Sequence, residues 1–262
     1  MLRAFSTAAT GMTAQQMTVN TIANNLANMN TAGFKRAMID FQDLVYLSLS
    51  EPGSETAAGV ETPTGFELGS GVRPASTLKV FTQGEMENTG RQLDVAIQGD
   101  GFFCIRLPSG EEQYTRDGSF RVNADGELVN ANGYVVEPGV SIPEDARSIS
   151  VGADGTVTVF QGSDQTGSQL GTIKLVRFRN PSGLSAKGGN LLAATPASGD
   201  AIEGTASEDG FGSIQSGFLE RSNVQMVTEL VNLITAQRAY EINSRAIRAG
   251  DEMLETANRL VM

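Results

Sequence analysis

Histidine and tryptophan are missing from the 262 residues, and Cys104 is the only cysteine. Without imidazole there can be no Ser-His-Asp or Cys-His arrangement and no histidine ligand for zinc, which excludes the commonest hydrolase and metalloprotease mechanisms. A single cysteine allows neither an intramolecular disulfide nor a thiolate cage. Set among Phe102, Phe103 and Ile105, Cys104 reads as a small buried hydrophobe. No continuous apolar run is long enough to span a bilayer, so no membrane insertion is expected. The opening MLRAFSTAATGMTAQQM lacks the apolar core of a secretory signal, which implies a cytoplasmic chain or export without a cleaved signal. Basic residues are also scarce. A formal charge of −11 argues against a nucleic-acid partner, which would require a basic face.

The charge is unevenly placed. Residues 1–30 carry Arg3 and no acid, and residues 220–262 carry five arginines and six acids, so the whole excess of −11 falls on residues 31–219. The nearly neutral ends share a seven-residue repeat. Leu233, Tyr240, Ile247, Leu254 and Val261 recur by seven, with Ala236, Asn243, Gly250 and Ala257 three residues after the first four. At the other end Phe5, Met12, Val19 and Leu26 recur by seven, with Ala8, Gln15, Ile22 and Met29 between them. Alternating spacings of three and four mark one narrow seam of a helix that faces another helix. The two seams fit each other in an antiparallel or staggered coil, or each helix packs on the central body. Small residues at Ala8, Ala236, Gly250 and Ala257 permit close approach. Mid-helix glycine costs about 1 kcal/mol relative to alanine, so Gly250 implies a neighbouring backbone or a bend there.

The first helix is expected over about 2–28. Thirteen of the first thirty residues are Ser, Thr, Asn or Gln. A polar but uncharged surface can be buried with hydrogen bonds, whereas buried unpaired charge costs several kcal/mol, so this helix is expected to pack on more than one side. Gly33 is expected to end it as a left-handed cap. Residues 34–49 fit a short helix or an extended arm, and 51–74 read as a Gly/Pro-rich connector. From 75 to 218 the pattern is strand and turn. Asp-Gly and Asn-Gly pairs at 117–118, 125–126 and 132–133 suit tight hairpins of a β-meander with short strands at 113–116, 119–123, 127–130 and 134–137. Further strands are expected at 148–151, 156–160 and 172–179, with a loop-rich stretch from 188. Ser222-Asn223 is expected to cap a last helix reaching 260. The fold class is α+β: long N- and C-terminal helices paired as a coiled coil, with a mainly antiparallel β central domain. The expected division is 1–33 with 220–262, then 34–74, then 75–219.

No chemistry gathers in the middle. The five Asp-Gly pairs lack the further carboxylates of a calcium loop and fit turns unaided. Gly99-Asp100-Gly101 lacks the third glycine and the following helix of a dinucleotide site. Glu111-Glu112 and Asp251-Glu252 have no converging partner for acid–base work. No catalytic residue, cofactor or metal is expected.

Longer motifs carry a resemblance. Ala23-Asn24-Asn25-Leu26-Ala27-Asn28, followed by Thr31-Ala-Gly33-Phe34-Lys-Arg36, resembles the N-terminal signature of the bacterial flagellar axial proteins, the family of rod, hook and hook-associated subunits. Ser222-Asn223-Val224, followed by Gln237-Arg238-Ala-Tyr240-Glu-Ile-Asn243-Ser244, is similar to their C-terminal signature. Asp94-Val-Ala-Ile-Gln-Gly-Asp-Gly-Phe-Phe103 and Tyr114-Thr-Arg-Asp-Gly-Ser-Phe120 resemble the central element of the larger members. Length and the connector place the chain nearest the distal rod segment rather than the shorter proximal rod proteins or the longer hook protein. The resemblance implies a non-enzymatic subunit exported unfolded through the flagellar type III apparatus and polymerised helically with itself into a hollow shaft. That shaft is a periplasm-spanning rod of the basal body, where it meets proximal rod and hook axial proteins and basal-body ring proteins. The terminal helices would form the inner tube, the acidic body would face outward, and the connector would stiffen the shaft. The competing readings are another rod segment or the hook, and, from a different class, a secreted adhesin-like module on a coiled-coil stalk.

Overall fold

The structure, a computed structural model, describes residues 2–53, 55–57, 60–61, 63–161 and 167–261. The side chains of Ala257 and Val261, both seam positions by spacing, lie outside those described. The chain forms two compact units. One comprises Met1–Leu26, Ala37–Leu78 and Gln225–Met262; the other comprises Ala27–Arg36 and Lys79–Val224.

The second unit is an antiparallel β body built around the strand Phe102–Arg106. That strand pairs with Glu112–Thr115, Val135–Val136 and Lys174–Arg177. Consecutive side chains of a strand face opposite ways, and here both faces are apolar. Phe103 and Ile105 enter the larger core with Val95, Ile97, Leu175 and Ile214, while Phe102 and Cys104 enter a second one with Tyr114, Val176 and Phe178. The strands Ala146–Val151, Thr156–Gln161 and Ser168–Thr172 form a separate three-stranded sheet, whose Val151, Val157 and Val159 join the larger core. Phe178 receives the edges of Phe102 and Tyr114 at ring separations of 6.0 and 4.7 Å, the preferred aromatic geometry.

The expected meander is present in part. Arg121–Val122, Leu128–Val129 and Val135–Val136 pair in order through the turns at 125–126 and 132–133, with the strands expected from 119 to 123 and from 134 to 137 shortened. Asp117-Gly118 closes no hairpin, because Glu112–Thr115 pairs with Phe102–Arg106 and Leu191–Ala193 instead. The stretch from 188 is not mainly loop. It contains Leu191–Ala193, Ile202–Thr205, Ser213–Ser216 and Phe218–Glu220, each paired with a strand from earlier in the body. These strands are too short and too glycine-rich for a period of two to register.

The first unit contains helix α1 (Leu2–Ala27) and helix α2 (Met226–Val261). Between them in sequence lies a β ribbon. Ala37–Asp43 pairs with Val72–Lys79, Leu47–Ser50 with Phe66–Leu68, and Glu55–Ala57 with Val60–Glu61, each pairing enclosing the next. Thus 34–49 resolves to extended chain, and 51–74 holds strands where a connector was expected. Its Pro52-Gly53 and Pro63–Gly65 fall in the breaks between pairings, where they interrupt no ladder. Gly33 has φ +67° but stands six residues beyond α1, so it serves a later turn and not the helix cap.

Cys104 is buried, and the loss of hydration together with the nearby Glu112 raises its thiol pKa to about 12. A pKa raised on folding contributes stability that is complete below the unfolded value and declines as pH climbs toward the folded one. The body should therefore lose stability between pH 9 and 12. Cys104→Ala should flatten that decline in urea unfolding followed by circular dichroism. In the native protein the thiol should resist alkylation at mildly alkaline pH and react on unfolding. Gly118→Ala should destabilise strongly, because a Cβ there would overlap the Val95 carbonyl oxygen.

Candidate assembly site on the terminal helices

The seam residues of the two helices meet in opposite order. A Cβ on Gly250 would stand 2.7 Å from the ring of Phe5, and one on Gly11 would stand 2.9 Å from Nδ2 of Asn243. Asn25 Nδ2 lies 3.5 Å from a carboxylate oxygen of Glu229. Gly250 thus admits an aromatic side chain, and not the neighbouring backbone or bend that its place in the helix suggested. On the α2 seam Ala236 and Gly250 are buried, and Leu233, Asn243, Ile247 and Leu254 are half-buried. Tyr240 is 42 % exposed. On α1 Ile22 is buried, and Phe5, Ala8, Met12, Val19 and Leu26 are half-buried. Ala14 and Glu229 are buried on the facing sides although neither falls on the seven-residue repeat as first counted. The acidic residue in the first turn of α2 suits the positive end of the helix.

α1 has a second contact face within the same unit. Thr10 Oγ1 accepts a hydrogen bond from Val72 N at 3.4 Å, and a Cβ on Gly71 would overlap it. Asn25 is bidentate with the backbone of Ala37: its Nδ2 donates to the carbonyl oxygen and its Oδ1 accepts from the N–H, both at 2.9 Å. One buried amide therefore fixes the start of the β ribbon on the helix.

α2 also carries a second apolar stripe. Val227, Leu230, Val231 and Ile234 follow the i, i+3, i+4, i+7 spacing and are exposed, Val227 by 74 %. Each of Val227, Val231 and Ile234 lies two residues from the seam positions Glu229 and Ala236, about 200° round the helix at 3.6 residues per turn. The stripe is therefore opposite the seam. Its ion pairs, Arg245 with Glu241 and Arg259 with Glu255, are exposed and contribute little.

The remaining motif residues divide by what they touch. In the β body Gly33 N donates to Glu220 O at 2.8 Å, and Asn223 accepts from Arg36 N at 2.8 Å while donating to the carbonyl oxygens of Val80 and Thr82. Phe34 is half-buried beside Lys79, whose Nζ is 6.0 Å from the ring centroid. Asn28 is half-buried, and Asn24, Gln237 and Arg238 are exposed. At the same place lies a buried carboxylate that no local sequence pattern announces. Glu220 accepts from Lys35 Nζ at 2.6 Å and Gly84 N at 2.9 Å, with Arg116 at 3.5 Å. Burial pushes the Lys35 pKa down, and the charge of Glu220 opposes that shift.

Comparison with known proteins covers the same elements. Residues 5–35 match the family model "Flagella basal body rod protein", residues 96–159 the "Flagellar hook protein FlgE/F/G D1 domain" and residues 215–260 the "Flagellar basal body rod FlgEFG protein C-terminal". The flagellar basal-body rod protein FlgG of Borreliella burgdorferi is 46 % identical over 99 % of both chains. The chain belongs to the flagellar basal-body rod protein family. Its relatives of the same name in Caulobacter vibrioides and Bacillus subtilis are 44 % and 37 % identical, over 99 % and 97 % of both chains. As a rod protein it is structural and not an enzyme, and it is a component of the flagellar basal body. The two terminal matches take in α1 with Gly33 and most of α2 with Glu220 and Asn223, and the central match takes in the strand Phe102–Arg106.

Glu220→Gln would leave two buried cations without a carboxylate. The expected loss is about 3–5 kcal/mol of body stability, measured as a shift of the urea midpoint without change in slope.

Proposed function

We propose that this rod protein is the subunit of the distal rod, and that it polymerises helically with itself into a hollow, rigid shaft that transmits torque to the hook. The observation that carries the reading is the exposed apolar stripe of α2 opposite its seam. A helix that is apolar on two opposite sides has one side to spare for another molecule. In this reading the terminal segments 1–33 and 220–262 pair as a coiled coil and form the inner tube, and residues 34–74 and 75–219 are the arm and the β domain. Support comes from the opposed order of the contacts Phe5–Gly250, Gly11–Asn243 and Asn25–Glu229, and from the exposed face of α1, where beyond Arg3 the residues Thr7, Thr13, Gln16 and Asn20 can be buried between copies without desolvating ions. A stripe and its counterpart on different parts of the surface make a heterologous contact, which grows as an open helix when its rotation does not close a ring. Proximal rod and hook axial proteins would cap the two ends, ring proteins would surround the shaft, and the flagellar type III export apparatus would deliver the unfolded chain.

Val231→Glu with Ile234→Glu places two carboxylates on the stripe. Polymer formed by concentrated full-length protein, followed by sedimentation and electron microscopy, should be lost while the urea unfolding of the β body is unchanged. Polymers of normal yield would refute the stripe as the contact. Gly250→Leu should lower polymer yield by crowding the Phe5 ring, and Phe5→Ala in the same chain should restore part of it.

A further inference from the structure

The acidic β body contains a cleft of the opposite character. It has a volume of about 370 Å³ and is lined by Arg116, Arg177 and Arg179, by the rings of Phe102 and Phe178, and by one carboxylate, Asp100. Two of these cations are already partly held. Arg177 lies over the Phe211 ring at 5.4 Å and donates to Gly210 O at 3.2 Å. The Arg116 side chain is only 5 % exposed, donates to Gly99 O at 2.8 Å, and stands 3.5 Å from both Ile97 O and Glu220 Oε2. Its Nε has no acceptor among the described residues. Arg179 is exposed and has neither a hydrogen bond nor an ion pair among them.

A guanidinium donor left open in a dry setting keeps a desolvation cost that an anionic acceptor would remove. Three forks against one carboxylate leave the cleft electropositive, and the planar guanidinium matches a carboxylate bidentately. The buried rings of Phe102 and Phe178 lower the local dielectric on the Arg116 side of the cleft, which strengthens such a contact there. We propose that this cleft is a carboxylate-binding site, filled by an acidic side chain of a neighbouring copy of the chain. Charge complementarity selects the occupant: the copies of a polymer are the groups present at highest local concentration, and residues 31–219 of each carry the entire excess of −11. The assignment of the occupant rests on the polymer reading, whereas the site does not.

Arg179 is the residue to change, because it is exposed and its loss leaves the core untouched. Titration of the dilute full-length monomer with succinate, followed by the arginine Nε–Hε NMR signals at constant ionic strength, should move the Arg116 and Arg179 signals saturably. Arg179→Glu should weaken that binding at least about tenfold, and Arg179→Lys less. Shifts that do not saturate, or that chloride reproduces, overturn the site. In the second arm, Arg179→Glu should slow polymerisation at least about tenfold at low salt, with the gap closing as salt screens the pair. Wild-type assembly by Arg179→Glu, with succinate binding lost, overturns the neighbour as occupant. A wild-type chain that never polymerises overturns the polymer reading and the neighbour together, and the succinate shifts then decide the cleft alone.

Discussion

Close approach of two helices is limited by the side chains at their crossing points, and in this protein that limit is set by missing Cβ atoms. Gly250 admits the ring of Phe5, and Gly11 admits the amide of Asn243. Each glycine weakens its own helix by about 1 kcal/mol, so the contacts it permits must return at least as much. Because the fits are steric they also fix the register. With the seam of α2 turned to α1, Val231 and Ile234 are turned away, and the outward stripe follows from the inward fit.

The β body obeys a different constraint. Its central strand, Phe102–Arg106, is apolar on both faces up to Ile105 and has partners on both edges, so its first four residues cannot be solvated without dismantling two cores. Among the described residues of the body, buried carboxylates stand at two places: Asp94 is held by Arg91 and the Thr89 hydroxyl, and around Glu220 the side chains of Lys35 and Arg116 and the Gly84 N–H supply the donors a dry carboxylate requires. Such a cluster favours uniqueness over stability, since any pairing that leaves one member behind is heavily penalised.

Much of this was legible in the sequence. The sevenfold repeats located both helices and named Phe5, Gly250 and Asn243 before their contacts were known, because helical spacing is regular and side-chain size is local information. The turns at Asp125-Gly126 and Asn132-Gly133 located two hairpins for the same reason, whereas Asp117-Gly118 joins strands whose partners lie elsewhere. What could not be read was long-range. The ribbon of 37–79 was obscured because its pairing partners alternate with prolines and glycines that disguise the strands, and the strands beyond 188 are three or four residues long. Glu220 carries no local mark of its burial, since the residues that enclose it come from three distant stretches. Gly250 was recognised as a place of close approach, but whether a ring or a backbone fills it depends on the partner helix.

The bonds around Glu220 join residues 185 and 104 positions apart, and Asn25 reaches Glu229 across 204. Closing loops of that size is entropically slow, and none can close before the last fifth of the chain is present. A chain that emerges first residue foremost must therefore travel most of its length without its charged knot or its helix partner, so its final shape is withheld until delivery is nearly complete.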